Sequence, residues 1–279
     1  MTKIGIIGVA GRMGRMLVEA THTRATAVAD GETAPCALVA ASDHAGCEEI
    51  GRDAGEVAGV GTLDVSIRTD NQTVLKESDV VIDFTLPAVT LSYLDKAVAS
   101  KTPLVIGTTG FKPEEIERLR SAAQEIPIVF APNFSVGVNL MFKVASEVAA
   151  ILGEAFDIEI IEAHHRHKVD APSGTAIGLG QAIAEAIDRN LDDVAVYARE
   201  GHTGPRESRS IGFATVRGGD IVGDHTALFA GDGERLEITH KASSRMTFAN
   251  GAVRAALWVG AQSPGLYDMR DILGFRTNA

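Results

Sequence analysis

Short apolar runs alternate with stretches of helical periodicity through the first half of the chain. Residues 3–9 form an apolar run suited to a strand buried on both faces, and residues 37–42, 80–84, 104–106 and 128–130 repeat the pattern. Between the first two runs Met16, Leu17 and Ala20 recur at helical spacing. Helices are also expected over 88–100 and 113–124, where Pro113 suits a first-turn position. Residues 46–61, glycine-rich and acidic, read as a surface loop, and Asp30-Gly31-Glu32-Thr33-Ala34-Pro35 reads as an extended turn. Strand alternating with helix predicts a parallel, doubly wound sheet, with ligands at the carboxyl ends of its strands.

The pattern changes after Ser135-Val136-Gly137-Val138, which reads as a hinge. Residues 139–152 predict a helix with Met141, Val144, Ala145 and Val148 inward. An apolar strand from Ile158 then discharges into His164-His165-Arg166-His167-Lys168, Pro172 ends the extended segment, and Ser173-Gly174-Thr175 opens a helix reaching Ile187. Residues 194–198, 211–216, 220–226 and 235–241 look like antiparallel strands, with Gly218-Gly219 and Asp232-Gly233 as hairpin turns. Ser243-Ser244 is expected to cap a helix over 245–261 carrying Met246, Ala249, Val253, Ala256 and Leu257 on its core side.

Two of these junctions carry chemistry. The first strand meets Gly8-Val9-Ala10-Gly11-Arg12-Met13-Gly14 and then a helix, the context of a dinucleotide fingerprint, although the spacing is G-x-x-G-x-x-G. Arg12 is placed to reach a phosphate, and Asp43, ending the second strand, to accept from ribose hydroxyls. The other strand ends read Phe84-Thr85, Gly107-Thr108-Thr109-Gly110 and Ala131-Pro132-Asn133-Phe134, small and polar enough to meet a nicotinamide nucleotide. The second junction gathers cations and transferable protons ahead of a helix start, where the N–H groups of Gly174 and Thr175 can receive a carboxylate. His164, His165 and His167 sit too close together to converge on one ion, and no cysteine or carboxylate pattern completes a set, so no metal site is expected.

Composition narrows the classes. The 279 residues are enough for two domains with sizeable cores. With 26 basic against 37 acidic residues and a net charge of −11, a nucleic-acid partner is not expected. Cys36 and Cys47 have no spaced partners, which fits a reducing compartment, and neither a leader pattern nor a run of about 20 uninterrupted apolar residues is present. A cytoplasmic protein without a membrane partner is expected.

The run Glu162 to Ala176 resembles the signature of the dihydrodipicolinate reductase family. The likeness extends to Gly8–Gly14, Ile106-Gly107-Thr108-Thr109-Gly110-Phe111, Asn133-Phe134-Ser135-Val136-Gly137-Val138-Asn139, Arg199-Glu200-Gly201-His202-Thr203-Gly204, Ile211–Arg217 and Thr239-His240-Lys241-Ala242-Ser243-Ser244-Arg245. It implies an α/β fold: a Rossmann-like doubly wound parallel sheet plus a second α+β domain with a mostly antiparallel or mixed open sheet. Residues 1–135 would be the dinucleotide-binding domain and 136–242 the substrate-binding and oligomerisation domain. Residues 243–279 would pack back on the first domain. The implied activity is NAD(P)H-dependent reduction of 4-hydroxy-tetrahydrodipicolinate in diaminopimelate and lysine biosynthesis, by a homotetramer acting on a small dicarboxylate. His164 and Lys168 would be catalytic, and His165, Gly174 and Thr175 would hold the substrate. Gly8, Val9, Ala10, Gly11, Arg12, Met13, Asp43, Gly107, Thr108, Thr109, Ala131, Pro132, Asn133 and Phe134 would line the cofactor site.

Two positions depart from the enterobacterial pattern, which has Glu-Arg at Asp43-His44 and Arg at Leu86. A 2′-phosphate would meet Asp43 without a forked cation beside it, so His44 joins the cofactor-site residues and NADH is expected over NADPH. The competing classes are another nicotinamide-linked dehydrogenase of dicarboxylic acids, resembling aspartate dehydrogenase, and a redox-sensing dinucleotide-binding module.

Overall fold

The computed structural model describes residues 1–29 and 32–276, so Asp30 and Gly31 of the expected polar turn lie outside the described residues. In chain order the strands are β1 (Thr2–Ile7), β2 (Cys36–Ser42), β3 (Ile67–Arg68), β4 (Val80–Asp83), β5 (Leu104–Ile106), β6 (Pro127–Phe130), β7 (Asp157–His164), β8 (Ala195–Val196), β9 (Ile211–Arg217), β10 (Gly223–Gly231), β11 (Glu234–Ala242) and β12 (Gly265–Tyr267). The α-helices are α1 (Arg12–Thr26), α2 (Ala54–Ala58), α3 (Asn71–Glu77), α4 (Pro87–Ser100), α5 (Pro113–Ala122), α6 (Val136–Leu152), α7 (Gly174–Ala186), α8 (Leu191–Val194), α9 (Met246–Val259) and α10 (Met269–Ile272). The chain divides into a first unit, Met1–Ser135 with Arg245–Ala279, and a second, Val136–Ser244.

The first unit is built on a parallel sheet of order β12-β6-β5-β4-β1-β2-β3. Its central strands are apolar on both faces because helices cover both: Ile4, Ile6, Val80, Ile82, Leu104, Ile106 and Ile128 are all buried. Connections run one way from β1 through β2 to β3 and the other way from β4 through β6, so strand order reverses between β1 and β4. Residues 46–61, expected as loop, contain α2, whose start is held by Asp53 accepting from Gly55 and Glu56 N–H at 2.8 and 3.1 Å. The same carboxylate takes the N–H groups of Leu63 and Val65, so one side chain organises the segment before β3. At the other end of the chain α9 starts from Arg245, with no side-chain cap bond from that position, rather than from the expected serine cap. The chain then adds β12 beside β6.

The second unit has a mixed sheet of order β11-β10-β7-β9-β8. β10 runs antiparallel to β7 and β11, but β9 is parallel to both β7 and β8, which corrects the antiparallel expectation for 194–198 and 211–216. Asp232-Gly233 closes the β10–β11 hairpin, with Gly233 at φ 84°. Gly218-Gly219 closes no hairpin, because β9 and β10 lie on opposite sides of β7. The segment instead crosses the carboxyl end of β7, where Gly218 N–H donates to His164 O at 2.9 Å and His165 N–H to Ile221 O at 2.7 Å. One face of this sheet packs Ile158, Ile160, Phe213 and Phe229 against Met141 and Ala145 of α6 and Leu179 and Ile183 of α7. With its short 3₁₀ extension α6 is long and apolar enough to cross a membrane by length and composition. It nevertheless packs within this unit and carries a Lys143–Glu147 ion pair at 2.9 Å.

Candidate active site

Gly8 stands at φ 78°, where a side chain would also run into Thr85, and a Cβ on Gly14 would collide with the Gly8 and Val9 carbonyls. The tight turn therefore needs both glycines. Several of its amides are committed internally: Gly8 and Val9 N–H to Ser42 O at 2.8 and 3.1 Å, and Ala10 N–H to Asp43 Oδ2 at 2.9 Å. Gly11, the N-cap of α1, has no side chain to cap the helix, which leaves its first-turn amides suited to an external anion. Around this turn lies a cleft of about 490 Å³ at the β1/β4 reversal, lined by Ala10, Asp43, His44, Asn71, Thr85 and Leu86 among others. These features fit the pyrophosphate and adenosine parts of a dinucleotide. The adjoining strand ends are fixed by a buried node the sequence reading missed. Asp83 accepts from Thr85 N–H at 2.7 Å and Thr90 Oγ1 at 2.6 Å, and also from Tyr93 and Thr108. Gly107 is required because a Cβ there would enter the Phe84 ring, which packs on Phe134 at 5.4 Å.

In the second unit, alternation along β7 turns Glu162 and His164 to the same inner face. Pairing sets Thr215 and Arg217 beside them on β9, and His225 opposite Glu162 on β10. Glu162, 1% exposed, receives Arg217 Nη1 and Nη2 at 2.7 and 2.8 Å, Ser173 N–H at 3.0 Å and Thr215 Oγ1 at 3.3 Å. His164 Nδ1 lies 2.6 Å from its Oε2. Burial pushes the Glu162 carboxyl up, but Arg217, His164 and the Ser173 N–H outweigh it and bring it down to about 2. His164 is held below the ordinary imidazole value by burial first, with Lys168 and Arg217 adding to that and Glu162 opposing it. His225, stacked edge-on at 5.0 Å from the His164 ring, shares a hydrogen with Ser173 Oγ at 2.9 Å; burial above all pulls it down to about 4.

Beyond β7 the loop returns to α7, where Ser173 caps the helix by accepting from Ala176 N–H at 3.1 Å. Lys168 Nζ pairs with Asp170 Oδ1 at 2.8 Å. A Cβ on Gly174 would meet nothing within 4 Å. Lysine, a buried neutral histidine and a helix start thus lie together at the carboxyl end of β7, a set able to hold an organic anion and exchange protons with it.

Residues 2–134 match the family model described as dihydrodipicolinate reductase, N-terminus, and residues 137–273 match the one described as dihydrodipicolinate reductase, C-terminus. The chain belongs to the dihydrodipicolinate reductase family. A 4-hydroxy-tetrahydrodipicolinate reductase of Magnetococcus marinus is 64% identical over 274 residues, 98% of this chain and 99% of that protein. One from Alkalilimnicola ehrlichii is 56% identical, again over 98% and 99%. Among solved structures, a dipicolinate-bound dihydrodipicolinate reductase from Paenisporosarcina sp. TG-14 superposes with a TM-score of 0.72 at 27% identity, covering 96% of this chain and 97% of that one.

Against the residues the reductase resemblance singled out, the first unit brings Gly8, Ala10, Gly11, Asp43 and His44 together around the cleft. Val9, Thr108, Ala131 and Phe134 are buried, and Arg12 is exposed. Gly107, Thr109, Pro132 and Asn133 follow the ends of β5 and β6, and Met13 opens α1. In the second unit His164, Lys168, Gly174 and Thr175 lie at the β7 end and the α7 start, and His165 follows β7 directly, its ring 6.3 Å from that of His167. Glu162, Arg217, Ser173 and His225 were not singled out. The spacing of Glu162 and His164 on one strand was the available signal; the cross-strand partners needed the register.

Proposed function

We propose that this chain is an NAD(P)H-dependent 4-hydroxy-tetrahydrodipicolinate reductase of diaminopimelate and lysine biosynthesis. The carrying observation is the meeting of Lys168, His164 and the α7 start at the end of β7, in a chain matched by the family models over residues 2–134 and 137–273. When bound, the nicotinamide supplies hydride to an electrophilic carbon of the substrate ring. The glycine turn, α1 N-terminus and Asp43 would hold the nucleotide. A substrate carboxylate exchanges with Asp170 at Lys168, and the Gly174 and Thr175 amides at the α7 start lie beside that lysine's loop to receive it, which supports a dicarboxylate ligand. Lys168 and His164 relay the proton passed to the neighbouring ring position, and the Lys168 charge stabilises the electron-rich species formed as hydride arrives. His165 joins the substrate side from the same loop.

The cofactor reading favours NADH, with NADPH as the alternative donor. Asp43 keeps its carboxylate at the cleft, His44 points outward with its Nε2 3.8 Å from Asp43 Oδ1, and Leu86, 67% exposed at the same cleft, is itself no cation. A homotetramer is supported by the second sheet's other face, where Ile161 and Val216 are 39% and 49% exposed. Two free cysteines suit the cytoplasm. The test is NADH oxidation on adding the ring substrate and a panel of dicarboxylic acids. Turnover of the ring substrate alone supports the reading, and turnover only of an open-chain dicarboxylate favours the aspartate-dehydrogenase-like alternative.

A further inference from the structure

We infer that Glu162 is a positioning residue: clamped by Arg217 and the Ser173 N–H, it fixes His164 as the Nδ1–H tautomer and makes Nε2 the atom that exchanges protons with substrate. The inference rests on the proton-transfer role proposed for His164 and assigns that role to one atom. An ionised carboxylate has no hydrogen to give, so the 2.6 Å contact requires Nδ1 to donate. The carboxylate itself cannot turn away. Its Oε1 takes Arg217 Nη2, Ser173 N–H and Thr215 Oγ1, and its Oε2 takes Arg217 Nη1 and His164, so β7, β9 and the α7 cap all hold it. A ring flip of His164 would break its bond to the carboxylate and leave a buried acceptor short of a donor.

The far side of the ring is shaped to match. A Cβ on Gly223 would stand 3.0 Å from His164 Nε2 and 3.7 Å from His225 Cε1, so only glycine keeps the space beside Nε2 open. His225 does not compete as the proton carrier, because its Nε2 is engaged with Ser173 Oγ and it is 4% exposed. The charged and titratable groups facing His164 are Glu162 on β7, Arg217 on β9, His225 on β10 and Lys168 in the loop, with His240 on β11 beyond His225 and Asp170 paired to Lys168. Of these, Glu162 alone is in contact with the ring and favours its protonated form. Replacing the carboxylate leaves burial, Arg217 and Lys168 unopposed, so the kinetic limb belonging to His164 moves to lower pH.

The test uses Glu162→Gln together with Glu162→Gln/Arg217→Met, since the double variant leaves no buried charge orphaned. Histidine ¹⁵N NMR of the ligand-free chain reads the tautomer directly, and kcat, KM and the pH–rate profile are measured beside it. The expected result is an Nδ1–H tautomer for His164 in the native chain and a tautomer mixture in both variants. A kcat lower by about 10–100-fold, KM for the ring substrate within about threefold, and a limb moved down by roughly one pH unit should accompany it. An Nε2–H tautomer in the native chain, or an unchanged tautomer in both variants, overturns the inference. The spectrum needs no turnover, so it is separable from a failure of the catalytic reading, which would show as normal activity in His164→Ala.

Discussion

His225 should make the fold acid-sensitive well above the carboxylate range, and His225→Gln should remove that sensitivity. A free imidazole titrates near ~6.5, whereas burial and the neighbouring His164 hold His225 at about 4 in the native chain. Between those values the unfolded chain binds a proton that the folded chain refuses, so stability is full above ~6.5 and is lost as pH falls towards 4. The whole difference of roughly 2.5 pH units corresponds to ~3 kcal/mol, and about 2 kcal/mol of it is lost between pH ~7 and pH ~5. At 4% exposure the group is not screened by solvent. Glutamine can keep the bond to Ser173 Oγ but does not titrate. Urea unfolding followed by circular dichroism at the two pH values gives the check. At an m-value of roughly 2 kcal/mol per molar, the native midpoint should drop by about 1 M more than that of the variant. Equal drops in the two proteins would mean that His225 is not held neutral in the fold.

Gly174→Val should raise KM for the ring substrate by about tenfold with little loss of kcat, because the new side chain enters the open space at the α7 start; an unchanged KM in steady-state assays would remove that amide from substrate binding. NADH should be favoured over NADPH by roughly tenfold at pH ~8, and His44→Arg should narrow the ratio by supplying a forked cation beside Asp43. Equal kcat/KM for the two nucleotides in the native chain would refute the preference. Ile161→Asp should shift a homotetramer towards smaller species in light scattering at micromolar concentration, whereas a native monomer would contradict the assembly outright.

What was legible in the sequence follows from which signals are local. β1, β4, β5 and β6 are continuous apolar runs between turn residues, so each could be placed within a residue or two of its observed bounds. The helices α2 and α3, of five and seven residues, are too short to show a period. Their marks were the capping residues: Asp53, set among glycines in a segment that reads as loop, and Asp70, in a stretch with no element assigned from the sequence. Gly218-Gly219 has the composition of a hairpin turn, and nothing local says that β7 lies between the two strands it joins. The candidate site divides the same way. His164, Lys168 and Gly174 share one short run and were found together, whereas Arg217 and His225 reach Glu162 and Ser173 only through the β9-β7-β10 register, more than 50 residues along the chain. Asp83 was hidden because a carboxylate ending an apolar strand looks exposed until Thr90, Tyr93 and Thr108 close over it.

The most direct measurement of the central claim is single-enzyme kinetics with 4-hydroxy-tetrahydrodipicolinate and NADH in the native chain, Lys168→Ala and His164→Ala, beside NADH affinity by calorimetry. The native chain should oxidise NADH. Each variant should lose about 10²–10³ in kcat, the scale of one positioned proton donor or charge stabiliser. NADH affinity should stay within about twofold, because the glycine turn and Asp43 belong to the first unit and both substitutions to the second. Near-native turnover in both variants, or a native chain that binds NADH but leaves the ring substrate unreduced, would contradict it.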